Sequence, residues 1–103
     1  MSTLSTHVLD TAVGRPVAGL HARLTSVDGE ILGEGVTSAD GRIDAIGPEQ
    51  LEAGAYRLIF GTGAYGNDFY PEVVIVFSIA DSDQHYHLPL LLSPYGYSTY
   101  RGS

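Results

Sequence analysis

Seven short runs rich in β-branched, aromatic and aliphatic residues, each closed off by a turn former, fill most of this chain and constrain its fold more than any other feature. They are "THVLD", "AGLHARLTSV", "EILGEGVTS", "AYRLIFGTG", "PEVVIVFSIA", "HYHLPLLLS" and "GYSTYRG". Between them, "TAVGRPVAG", "VDGE", "SADGR", "YGND" and "SPYG" supply the Gly, Pro, Asn and Asp that tight turns use. The pair Asp28-Gly29 suits a two-residue hairpin loop. Only "GPEQLEAG", residues 47–54, reads as helical, with Pro48 near its start and Gly54 past its end. Pro89 marks an edge or a bulge, because proline cannot donate to a sheet ladder. Seven or eight strands so closely spaced in 103 residues predict an all-β sandwich with at most a short helix.

A chain of this length has room for one core, so residues 1–103 are read as a single domain. Its 44% hydrophobic and 17% charged content belongs to a globular protein. With no cysteine, disulfides and thiolate metal sites are excluded. No run approaches the roughly 18 apolar residues of a membrane span, and the start lacks a signal peptide's basic and apolar regions. A soluble, cytoplasmic protein is therefore expected, with no membrane partner. The net charge of −7 argues against nucleic acid as a partner. A core this small makes oligomerisation a reasonable further source of burial.

The chemistry-bearing side chains are few. Of four histidines, His7, His21, His85 and His87, the last two are i and i+2 and share a face of a strand. That spacing, with His7 as a third ligand, suits a metal such as zinc, although HxH alone is weak. All five basic residues are arginines. Arg42 follows the turn "SADG", where a salt bridge to Asp40 or Asp44 is its ordinary use. Ser93, Ser98 and Ser103 lie outside any G-x-S-x-G elbow, so a serine hydrolase has little support. Most unusual is the tail, residues 85–103, with two histidines, four tyrosines and Arg101 where small domains usually fray.

In order along the chain, "LSTHVLD", "GRP", "TSADGR", "FYPEVVIVF" and "HYHLPLLLSPYGYSTYRGS" resemble the transthyretin-related 5-hydroxyisourate hydrolases, and the resemblance spans essentially the whole sequence. The ending "YRGS" is similar to the terminus that separates the enzymes from the carrier transthyretin. The resemblance implies a sandwich of two antiparallel four-stranded sheets, and homotetramers with active sites where dimers meet. It implies catalytic roles for His7, Arg42 and His87, substrate binding by Tyr100 and Ser103, and neither metal nor cofactor. The reaction implied is hydrolysis of the N1–C6 bond of 5-hydroxyisourate, giving 2-oxo-4-hydroxy-4-carboxy-5-ureidoimidazoline in urate degradation. Whether His7 or His87 is the general base stays open. The segment "GTGAYGNDFYPEV" is shorter than the family's, so the family helix is expected to be truncated or lost here. The competing readings are a non-catalytic carrier of small aromatic ligands and a metal-binding sandwich.

Overall fold

The computed structural model describes residues 3–102. All seven runs form strands, and two further strands of two residues each accompany them. In chain order these are β1 (Leu4–Asp10), β2 (Arg15–Pro16), β3 (His21–Ser26), β4 (Ile31–Val36), β5 (Arg42–Ile43), β6 (Gly54–Phe60), a one-turn helix α1 (Thr62–Tyr65), β7 (Val73–Ile79), β8 (Tyr86–Ser93) and β9 (Gly96–Thr99). One sheet has the order β4-β3-β6-β7. The other runs β2-β1-β8-β9, with β5 also paired to β1, so it has five strands rather than four. Every pair is antiparallel except β1 with β8. A parallel pair needs a long crossover. Here the β4-β3-β6-β7 sheet supplies it, its strands all lying between β1 and β8 in the chain.

Strand alternation makes the core. Leu4, Val8, Leu88, Leu90 and Leu92 point inward from one sheet, and Ala22, Leu24, Leu58, Phe60, Val73 and Ile75 from the other, all buried. The odd residues of β1 and β8 are thereby turned to the outer face.

Local details depart from the sequence reading for physical reasons. Residues 47–53 are irregular, not helical, and Gly54 opens β6. Ile46 and Leu51 are both buried here, yet five residues along a helix would set them about 140° apart, on different faces. Gly47, at φ 90°, further breaks any helix. The helix sits instead at Thr62–Tyr65, stopped by Gly66 in the left-handed conformation. The β3–β4 hairpin has a three-residue loop rather than two. The Gly29 amide donates to the Ser26 carbonyl and that of Ser26 to the Glu30 carbonyl, with Gly29 at φ 92°.

Pro89 is the most informative departure, because β8 is an interior strand. The register that pairs Leu90 with Thr99 and His87 with Gly102 puts Pro89 across from Tyr100. There the ladder with the tail is broken: β9 ends at Thr99, and the chain rejoins β8 only at Gly102. The missing donor faces the one gap in that side of the sheet, while the Pro89 carbonyl accepts the Thr99 hydroxyl at 2.7 Å. Among the described residues, no helix is long and apolar enough to cross a membrane.

Candidate active site

The outer face of the five-stranded sheet carries two adjacent rows of side chains set by register. Arg42 pairs with His7, and His7 with Pro89; continuing across, the row reaches Tyr100. Ser5 pairs with His87, and His87 with Gly102. Neighbouring strands are about 4.8 Å apart and same-face residues about 6.7 Å apart along a strand, so His7, Arg42 and His87 fall within side-chain reach of one small area. A hollow of about 220 Å³ opens there, lined by Ser5, Thr6, Arg42, Asp44, His85 and His87. A larger one, of about 440 Å³, lies near Asp10 and Tyr95 and contains no histidine or arginine.

Local sequence places each group. Arg42 is presented by the turn at residues 38–41, closed by the Gly41 amide on the Ser38 carbonyl at 2.8 Å. Gly41 sits at φ 76°, and a Cβ there would fall 2.5 Å from the Val8 carbonyl oxygen, so the "DGR" glycine is required twice over. His7 donates from Nε2 to the Asp40 carbonyl at 2.9 Å. A carbonyl can only accept, so the neutral ring presents its lone pair at Nδ1. The local ion pair weighed for Arg42 does not form: among the described residues the guanidinium has no carboxylate within salt-bridge distance, and the ion pairs present join Glu34 to His21 and Arg23 on the other sheet.

His87 is half-buried. Its Nδ1 lies 2.7 Å from the Ser5 hydroxyl, which is also 2.9 Å from His85 Nε2. His85 Nδ1 in turn meets the Thr3 hydroxyl. Burial holds the His87 imidazole below its ordinary pKa, helped by the positive charge of Arg42 and more weakly by His7 and His85. A ring so placed is neutral near pH 7 and able to take a proton. The HxH spacing is thus used on a serine between two imidazoles, and among the described residues no three His, Asp or Glu side chains are grouped to hold a metal ion.

The tail is fastened by residues that sequence reasoning passed over. The Gly102 amide donates to the His87 carbonyl at 2.8 Å. Its α-carbon rests against the imidazole so closely that a Cβ would fall 2.6 Å from Cδ2. Arg101 lies over the Tyr86 ring, 4.4 Å from its centroid, and donates to the Gln84 side chain at 2.7 Å. Tyr86 is itself fixed by hydrogen bonds to residues 80 and 81. Tyr100 is largely exposed, 56% accessible, and does not line the hollow. Ser103 lies outside the described residues. Ser5 was legible in "LSTHVLD", two residues before His7 and so on its face. A glycine inside a strand-like tail also signals close approach, whereas nothing local marks Arg101 as a clasp.

A model of the HIUase/Transthyretin family matches residues 4–102. A 5-hydroxyisourate hydrolase of Caulobacter vibrioides is 47% identical over 115 aligned positions, covering 100% of both chains. The solved structure of Klebsiella pneumoniae 5-hydroxyisourate hydrolase superposes with a TM-score of 0.90 at 42% identity, covering 100% of each chain. Transthyretin from Sparus aurata superposes at 0.87 with 32% identity, covering 99% of this chain and 97% of that one.

Proposed function

Because the chain belongs to the HIUase/Transthyretin family, we propose that it is a 5-hydroxyisourate hydrolase and that His7, Arg42 and His87 form its active site. The observation that carries this reading is that register sets His7, Arg42 and His87 on one outer sheet face, with His87 and Arg42, which has no carboxylate partner among the described residues, lining its hollow. Ring opening at N1–C6 needs a water made nucleophilic and a carbonyl oxygen relieved of developing negative charge. His87, neutral because it is buried beside a cation, takes the proton. His7 offers its Nδ1 lone pair to the other hydrogen of the same water, which aligns the attack. Arg42 meets the oxyanion and docks the ureide edge of the substrate. Tyr100 and Ser103 bind the ring from the tail side.

The hollow lies open on a sheet face, and a second copy of the chain would close it. This supports a homotetramer with sites between dimers. The protein then acts as a single cytoplasmic domain in urate breakdown, without metal or cofactor. A carrier would need an inert channel, whereas here the face holds titratable groups and a cation. The test is spectroscopic: decay of freshly generated 5-hydroxyisourate with and without the protein.

A further inference from the structure

The contact between Ser5 and the two tail histidines has a chemical consequence beyond holding them still. A serine hydroxyl has a single proton, so between His85 Nε2 at 2.9 Å and His87 Nδ1 at 2.7 Å it can donate to only one ring, and when it does it accepts from the other. We propose that His85, acting through Ser5, decides which nitrogen of His87 carries its proton, making His85 a positioning residue for the hydrolytic base. The proposal rests on the hydrolase reading above.

When His85 is neutral and accepts from Ser5, the serine oxygen accepts Nδ1–H from His87. The lone pair of His87 then stands at Nε2, free for the attacking water. When His85 is protonated both its nitrogens donate, to Thr3 and to Ser5. The serine proton is then released from His85 and can turn to His87 Nδ1, which favours neutral His87 carrying its proton at Nε2, where no lone pair is left for the water. The charge of an exposed histidine is thus read at a half-buried one through a buried serine, which is 9% accessible. The charged and titratable groups facing His87 are His7 from β1, Arg42 from β5, Asp44 just after it, His85 before β8, and Arg101 of the tail. Of these, only His85 is joined to it by a hydrogen-bonded path among the described residues.

The experiment has two independent readouts. Nitrogen-15 shifts of labelled histidine report the His87 tautomer directly, whatever the activity. In wild type near neutral pH, His87 carries its proton at Nδ1; in His85→Ala and in Ser5→Ala it shifts toward Nε2–H, while Ser5→Thr, which keeps the hydroxyl, retains the wild-type pattern. Kinetically, His85→Ala lowers kcat about tenfold, the rate equivalent of one hydrogen bond, with KM little changed. The acid limb of its pH profile loses one ionisation, and adding Ser5→Ala costs nothing further. Unchanged tautomer and acid limb in both single variants, each shown to be folded, would overturn the proposal. If the tautomer responds but wild type leaves 5-hydroxyisourate untouched, the hydrolase reading fails and the positional coupling stands.

Discussion

Adding one methyl group at Gly102 should disable the site without unfolding the protein. A Cβ built there falls 2.6 Å from His87 Cδ2, 3.2 Å from Cγ and 3.4 Å from the ring's own Cβ. Carbon atoms are comfortable at about 3.5–4.0 Å, so in Gly102→Ala the imidazole and the tail must separate by about 1 Å. The imidazole cannot follow that push and also keep its 2.7 Å contact with Ser5. A misplacement of this size costs about 10²-fold in turnover. The backbone itself is permissive, since Gly102 is not among the glycines at positive φ. Replacing glycine at a compatible position recovers about 0.4–1 kcal/mol of unfolded-state entropy, against the loss of one bridge to the His87 carbonyl. The thermal midpoint should therefore stay within a few degrees of wild type. Unfolding and 5-hydroxyisourate decay are measured on the same sample. Wild-type turnover in a folded Gly102→Ala protein would refute the idea that the tail positions His87.

Deleting Tyr100 to Ser103 removes the clasp altogether; a folded but slow enzyme is expected, and near-normal turnover would take the tail out of the site. His87→Asn should lower kcat by about 10²-fold or more with an unchanged unfolding midpoint at neutral pH, and a smaller loss than for His85→Ala would reverse their roles. Because burial and Arg42 weaken proton binding by folded His87, the unfolded chain binds the extra proton as pH falls. The fold should then lose stability below about pH 6.5, while in His85→Ala, which lacks the second histidine, the remaining activity carried by neutral His87 persists to a lower pH. Coincidence of the two windows in pH-dependent unfolding and kinetics would count against a depressed His87. Light scattering should find a tetramer, and a fully active monomer would exclude a site shared between copies.

What the sequence revealed of this fold follows period-two patterning. The alternation of Leu88, Leu90 and Leu92 with His87, Pro89 and Leu91 separates core from outer face, and it puts Ser5 with His7 before any pairing is known. Pairings that join distant segments were hidden. Nothing in "LSTHVLD" says that it lies parallel to a strand some 80 residues later, so the contact of Ser5 with both histidines could not be read. Pro89 misled because its meaning depends on what lies opposite: in a central strand it is tolerated where the tail leaves the ladder. Residues 47–54 misled because a local helix signal was outweighed by the burial of Ile46 and Leu51. The glycine of "YRGS" was visible as a letter, but its reason, an imidazole against its α-carbon, is a tertiary fact.

The most direct measurement follows the ultraviolet signal of freshly generated 5-hydroxyisourate with wild type and with the double variant Arg42→Gln, His87→Asn. Wild type is predicted to accelerate the decay strongly and to release the ring-opened carboxylate, while the folded double variant leaves the decay at its spontaneous rate. No acceleration by the wild-type assembly, or equal acceleration by the double variant, would contradict the assignment of this sheet face as a hydrolytic site.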